Sequence, residues 1–392
     1  MAGWGVTLQP INGAVLHTRT RWPNVGPQRL ALVFCLAVAA TVLACRGVER
    51  PPPILTPAPT AVTGTVDLDT GVWLVDMSGD DAVGIGPDGQ LWLVNIRTGD
   101  WTQVTDDGHP MSDVALSADH VVWIDQRRKI QLPNNPVPTF AGDVFVRHRH
   151  TGEERRITDA PATRRGLAIF GPRLVWQDNR NGLLEDRRQD FDIYAYDLEQ
   201  DVEIPVAVMP GQQRAPAIHG DMVVWSDNRN RPEDTPTNEG CSNCPDNPFD
   251  IYSYNLKTGE ESLLVKTGGY NGRPSVHGQR VMWEQFQGGG ESAIVLLDLE
   301  TGEQTIIGEG GRGRSGPLIS EDYVIWAVAE PCDVFEFPPS KAQTGVYAHG
   351  LETGEVRQLS DYVEPMVMLH ANVAVIAEVC FGVRRQYAVH LY

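Results

Sequence analysis

Short apolar runs recur along this chain at fixed offsets. Five of them end in Trp123, Trp176, Trp225, Trp283 and Trp326, and Ile376 holds the same place in a sixth. Nine residues before each of these positions another run begins, as in "LAIF" at Leu167, "PAIH" at Pro216 and "PSVH" at Pro274. A third run follows after a variable gap, such as "DIYAYDL" from Asp192 or "DIYSYNL" from Asp250. A Thr-Gly turn then leads into a fourth, as in "KTGEESLLV". The runs are rich in Val, Ile, Trp and Tyr and are bounded by Gly, Asp, Asn and Pro, which is the punctuation of strands and turns. A Thr-Gly pair suits a tight hairpin, because Gly adopts positive φ without a steric penalty. No stretch beyond residue 45 shows a helical period. The second run is apolar at successive positions ("VVW") rather than alternating, so both of its faces are expected to be covered.

A fainter copy precedes these six. "VDMSGDDAVG" from Val75 matches "PAIHGDMVVW" at its Gly-Asp pair, and "QLWLVNIRTGDWTQVT" supplies its last two runs. Seven copies of four short strands predict an all-β chain, a β-propeller of seven antiparallel blades. The last copy stops within its third strand, at Tyr392. A strand-like run without a blade of its own, "VTGTVDL" at 62–68, is expected to complete that blade and close the ring without an open edge. Residues 62–392 are thus read as a single propeller domain.

The N-terminal part reads differently. Arg19, Arg21 and Arg29 precede a 15-residue apolar run, "LALVFCLAVAATVLA", which ends at Cys45. That run is short for a membrane span, which needs about 20 residues, and suits a signal-peptide core. "VLAC" resembles a bacterial lipobox, so residues 1–45 are expected to direct export and Cys45 to carry a lipid. Residues 46–61 are Pro-rich and read as an extended tether.

Net charge sharpens this picture. The chain carries −19, and residues 1–45 contain three Arg and no acidic residue, so the remainder is more acidic still. Nucleic acid is therefore not an expected partner, because phosphate contacts need Lys and Arg. Export permits disulfides. Cys241 and Cys244, in "EGCSNCPDNP", are expected to form a small loop disulfide, and Cys332 and Cys380, in adjacent copies, are candidates for an inter-blade one. No helix start follows the CxxC pair to activate a thiol.

Three copies write an Asp and an Arg two apart after the second run: Asp125/Arg127, Asp178/Arg180 and Asp227/Arg229. Residues two apart share a face of a strand. Carboxylate and guanidinium there are expected to form structural ion pairs at the strand exit. A ligand site and a Ca²⁺ site are the alternatives; no other cofactor is expected. Gln285 and Val328 replace the Asp in copies five and six. The gap after this position runs from 7 to 22 residues, so insertions are expected to gather on one face. The connections between copies share that face and carry Arg164, Arg165, Arg214, Arg273, Arg312 and Arg314. On so acidic a chain this basic group is a candidate face for an anionic or carbohydrate partner. His219, His277 and His370 close the first run of three copies, where a following turn accounts for them; a metal shared by the three is the alternative. No nucleophile elbow, HExxH or phosphate loop occurs.

The pattern "VVWxDxR…DIYxYDLxTGEExxIT" resembles the TolB-type and PD40-type propeller repeats of exported bacterial and archaeal proteins, over residues 65–392. Propellers that it resembles include scaffold subunits of envelope complexes, non-catalytic domains beside peptidases, and sugar-acid lyases; the expectation for this chain is a monomeric binding propeller on the periplasmic or outer face that recognises a protein or glycan of the cell envelope. The resemblance also implies an alternative, a metal-dependent lyase or hydrolase of anionic polysaccharide, because lyases share the repeat.

Overall fold

The structure is a computed structural model and describes residues 65–67, 72–109, 111–130, 139–183, 190–231, 248–266, 269, 271–288, 291–310, 316–328, 345–361, 365–380 and 383–391. Seven four-stranded antiparallel sheets account for almost all of them. Blade 1 comprises Trp73–Ser78, Asp81–Ile85, Leu91–Asn95 and Trp101–Gln103, and blade 2 Met111–Leu116, His120–Ile130, Thr139–His148 and Glu154–Arg156. Blade 3 comprises Arg164–Phe170, Arg173–Asp178, Asp192–Asp197 and Val202–Ala207, and blade 4 Gln213–His219, Met222–Asp227, Asp250–Asn255 and Glu261–Val265. Blade 5 is Asn271–His277, Arg280–Gly288, Glu291–Asp298 and Gln304–Gly310, and blade 6 is Leu318–Ile319, Tyr323–Val328, Gly345–Gly350 and Val356–Ser360.

Blade 7 takes Pro365–His370, Val373–Cys380 and Val383–His390 from the end of the chain, and its fourth strand is Thr65–Asp67. Thr65 lies opposite Val389 and Asp67 opposite Tyr387, so the expected closing strand is present but spans three residues. First strands contact first strands from each blade to the next, and those of blades 7 and 1 meet. The ring is closed, and the first strands line its channel.

The Trp column explains the spacing seen in the sequence. Trp123, Trp176, Trp225 and Trp283 are fully buried and Trp326 nearly so. Each blade's Trp packs against its neighbour: Trp176 joins Val122, Val144 and Val146 of blade 2, and Trp225 joins Val175 and Ile193 of blade 3. The second strand is therefore apolar on both faces because both are covered. Within four blades the indole also stacks on the facing aromatic of the third strand, Phe145, Tyr194, Tyr252 or Tyr347, with planes within about 22°. One departure from the all-strand expectation is α1 (Arg180–Leu183), a single helical turn after the second strand of blade 3.

First strands of five blades are irregular near their start. Their pairing with the second strand skips between Leu74 and Asp76, Ser112 and Ala115, Arg165 and Ala168, Arg214 and Ala217, and Gly272 and Ser275. Asp113 (φ 45°), Gly166 (φ 61°), Ala215 (φ 51°) and Arg273 (φ 51°) occupy the left-handed region at these bulges. Three of the four are not Gly, so the bulge is held against local strain by its surroundings. The supports are visible. Asp113 Oδ1 accepts from the Gly166 N–H (2.7 Å), Gln177 Oε1 from the Ala215 N–H (2.9 Å), and Asp76 Oδ2 from the Leu116 N–H (2.7 Å). Gln386 of blade 7 bonds both Leu74 N–H (2.8 Å) and Val72 C=O (2.7 Å). Neighbouring blades are thus clipped side chain to backbone beside the channel.

Candidate functional site

Antiparallel pairing puts the starts of the first strands, the ends of the second strands and the starts of the third on one face of the ring. The Asp-x-Arg motifs sit there, and in blades 3 and 4 each residue of the Asp-Asn-Arg-Asn stretch has its own partner. Asp178 and Asp227 are fully buried. Each accepts from the indole N–H of its blade's Trp, at 3.2 Å and 2.9 Å. Each also accepts from the backbone N–H and the guanidinium of the Arg two residues on. Arg180 and Arg229 then lie over the Tyr194 and Tyr252 rings, 4.0 and 4.1 Å from the centroids, and reach Glu203 and Glu261 of the fourth strand with two bonds each. Burial works against these guanidinium charges, but the carboxylates outweigh it and raise both pKa values.

The two Asn residues finish the corner. Asn179 and Asn228 tie the strand exit to the incoming inter-blade connection at Thr163 and Gln212. Asn181 and Asn230 donate to Asp192 and Asp250 and to the hydroxyls of Tyr194 and Tyr252. Blade 2 varies the theme. Arg127 pairs with Asp125 (Nε–Oδ2 2.8 Å) and Asp107, and Arg128 pairs with Asp143 (2.7 Å). Sequence reasoning anticipated the Asp–Arg pairs. It missed the Asn and Tyr partners, whose only signal was their recurrence in both "DNRN" copies.

The basic group divides in the structure. Arg164 does not reach the surface: its side chain is 0 % exposed and bonds Asp178 (2.8 Å), Asp143 (3.3 Å) and the carbonyls of Gly142 and Ala160. It is a staple between blades 2 and 3, held between two buried carboxylates. Burial lowers its pKa and Asp178 opposes that shift. The corresponding positions in blades 4 and 5 hold Gln213 and Asn271, also buried. Arg164 is therefore removed from the candidate binding face.

Arg165 and Arg214 behave otherwise. They follow the buried position in blades 3 and 4, Arg165 exposed and Arg214 half-buried, with guanidinium carbons 5.9 and 5.4 Å from the centroids of Phe191 and Phe249. Both Phe rings are buried and each directly precedes the "DIY" strand. Arg273, half-buried, sits one place further on at the blade 5 bulge and packs on Gly316. Nearby, burial raises the pKa of Glu284, which accepts from the Ser292 hydroxyl at 2.6 Å. Arg312 and Arg314 lie outside the described residues, as do Cys45, Cys241, Cys244 and Cys332. Cys380 ends the second strand of blade 7, but its side chain is also outside them.

At the opposite end of the channel Phe170, His219 and His277 close three consecutive first strands. The His219 ring lies 4.3 Å from that of Phe170 and 4.0 Å from that of His277, and its Nδ1 accepts from the Gly278 N–H (3.1 Å). Burial and the neighbouring His277 push the His219 pKa down to about 4. Among the described residues no group of three or more His, Cys, Asp or Glu side chains could hold a metal ion, and no helix is long and apolar enough to cross a membrane.

The fold and this pair of channel ends define the class: a seven-bladed β-propeller with a clamped, loop-bearing face. No family model matches the chain, and no curated protein sequence does. Its structure is similar to oligogalacturonate lyase from Vibrio parahaemolyticus, with 11% identity and a TM-score of 0.53, covering 86% of this chain and 99% of that one. It is similar to an uncharacterized protein from Listeria monocytogenes, with 10% identity and a TM-score of 0.52, covering 81% and 92%. TolB from Acinetobacter baumannii also aligns, at 13% identity over 93% of this chain and 71% of that one, with a TM-score of 0.42. At these identities the likeness is one of fold, shared by TolB-type and other propellers.

Proposed function

We propose that this chain is an exported, lipid-anchored binding propeller without catalysis of its own, and that its loop-bearing face recognises a protein or glycan of the cell envelope. The observation that carries the reading is the pair Arg165 and Arg214. They hold one position in adjacent blades at the rim of the channel, each near a buried Phe, on a chain of net charge −19. A guanidinium resting near an apolar ring is pre-oriented, and it binds carboxylate or phosphate in a forked geometry that Lys lacks. The clamped corners beneath keep that rim rigid, which lowers the ordering cost of binding.

The test is capture from envelope extract by the wild type and by an Arg165→Ala/Arg214→Ala double variant. Loss of the captured partner in the variant supports the reading; an unchanged set removes the rim as its site. Cys45→Ser is expected to move the protein from the membrane to the soluble fraction. The alternative, a metal-dependent lyase or hydrolase of anionic polysaccharide, needs the same anion affinity but predicts turnover. Depolymerisation of polygalacturonate by wild-type protein with Mn²⁺ would establish it in place of the binding reading.

A further inference from the structure

The outer strand of a blade leaves one edge of its sheet without a partner, and natural sheets blunt such edges with short strands, charges or Pro. Six blades here do so. The outer strands of blades 1, 2 and 7 span three residues each. Blade 3 places Pro205 in its outer strand, blade 4 places Glu261, which Arg229 engages, and blade 6 places Arg357. Blade 5 does not. Its outer strand, Gln304–Gly310, is the longest of the seven, and residues 304–308 hold no charge and no Pro. Thr305, Ile306 and Ile307 are good strand formers. Ile306, 52% exposed, is the most exposed large apolar side chain among the described residues.

The register shows which backbone groups are open. The Asp298 N–H donates to the Glu303 carbonyl at 3.0 Å, so these two form a hydrogen-bonded pair where the ladder starts. Bonded and non-bonded pairs alternate along an antiparallel ladder. Gln304 lies opposite Leu297, Thr305 opposite Leu296 and Ile306 opposite Val295. Gln304 and Ile306 therefore turn their N–H and C=O groups outward. A bulge follows at Ile307, as at the same place in the outer strands of blades 3, 4 and 6. The regular edge before it is three residues, the length of the pairing that Thr65–Asp67 makes in blade 7. On the side facing blade 6 the strand borders a cavity of about 250 Å³, whose lining includes Thr305, Glu303, Asp298 and Arg280 of blade 5 and Leu351 of blade 6. Two carboxylates there stand against one guanidinium, and Arg280 Nη1 donates to the Glu321 carbonyl at 3.2 Å.

We propose that the outer edge of blade 5 accepts an extended, basic peptide segment of a partner protein as a fifth strand. The segment exchanges backbone hydrogen bonds with Gln304 and Ile306. Its side chains alternate between the two faces of the sheet. One set packs on Ile306 and is apolar; the other lies over the acidic cavity beside Thr305 and Glu303 and is Lys or Arg. Charge decides against a second copy of this chain, since each copy brings −19. The edge lies on the circumference of the ring, apart from the arginine rim, and the inference does not rest on the role proposed for that rim.

The probe is a fluorescein-labelled peptide, Lys-Val-Lys-Val-Lys-Ile-Lys, titrated with the protein and followed by anisotropy. A second peptide has Glu in place of every Lys. The basic peptide is expected to bind saturably and the acidic one not to bind. Ile306→Pro removes an outward N–H and leaves the inner ladder intact, and is expected to weaken binding by at least about tenfold. Ile306→Lys puts a charge on the edge without altering the backbone and should weaken it as much, so a folding defect in the Pro variant does not protect the idea. Leu263→Lys, at the equivalent position of blade 4, adds the same charge and should bind like wild type. No binding of the basic peptide, equal binding of the acidic one, undiminished binding by the Ile306 variants, or equal losses in Ile306→Lys and Leu263→Lys would overturn the assignment. A dimer in sedimentation that Ile306→Lys dissociates would overturn it too, in favour of a second copy.

Discussion

Blades 3 and 4 end their second strands in one way and blade 5 in another. In blades 3 and 4 the ladder stops at Asp178 and Asp227, and the Asn-Arg-Asn that follows bonds the strand exit to the third strand, the fourth strand and the preceding connection. Blade 5 has Gln285 at this position, and its strand runs on to Gly288, pairing with Glu291 in a short hairpin. The ladder itself closes that corner. Blade 6 has Val328 at this position although its third strand begins only at Gly345, and blade 2 keeps the Asp125–Arg127 pair although its ladder runs on to Ile130, so the full clamp belongs to the two Asp-Asn-Arg-Asn corners of blades 3 and 4. It replaces the backbone hydrogen bonds that a continuing hairpin would make, and it satisfies polar groups that burial would otherwise leave unpaired.

The strongest way to break this comparison is to remove the clamp's centre. Asp178→Ala strands Arg164, wholly buried, and Arg180, and is expected to destabilise by about 3–5 kcal/mol in urea unfolding. Gln285→Ala, its counterpart in blade 5, is expected to cost less than about 1 kcal/mol. Equal losses would show that the corner does not depend on the carboxylate.

The seams between blades sharpen the comparison through pH. Asp76 clips blade 1 to blade 2, whereas neutral Gln177 clips blade 3 to blade 4. Burial pushes the Asp76 pKa up to about 6 from 3.8, against two N–H donors that lower it. A carboxyl that holds its proton more tightly when folded contributes stability in full below the unfolded pKa and loses it as pH rises through about 6. The change is at most ~3 kcal/mol at 1.36 kcal/mol per unit. Asp76→Asn is expected to flatten the stability profile between pH 4 and 6, while Gln177→Glu should introduce a new slope there.

Smaller effects test the periphery of the clamp. Asn230→Ala leaves Asp250 and the Tyr252 hydroxyl without a donor they now share, an expected loss of about 1–2 kcal/mol in the same unfolding assay. Arg165→Ala removes no ion pair among the described residues and should change stability by less than about 0.5 kcal/mol. A larger loss would make Arg165 part of the clamp rather than of a binding rim.

Much of this architecture was legible in the sequence, and the exceptions have a common cause. Trp and Asp-x-Arg recur because each blade meets its neighbour in the same geometry, so period alone counted the blades and predicted the strand that closes them. Arg164 misled because it stands next to Arg165 and carries the same charge. Only the alignment with Gln213 and Asn271, two more polar residues at a buried position, hints at its different fate. The bulges are fainter still. A single Gly166 shares a column with Asp113, Ala215 and Arg273, and nothing about those three residue types announces positive φ.

By itself, then, the sequence determined the repeat, the strand order and the closing of the ring, because these follow from local periodicity and turn chemistry. Tertiary structure alone decided which arginine is a staple and which a rim, and which histidines meet at the channel end. Those outcomes depend on what the next strand or the next blade places against a side chain. Charge and residue type are the same on either side of that decision; only the partner differs.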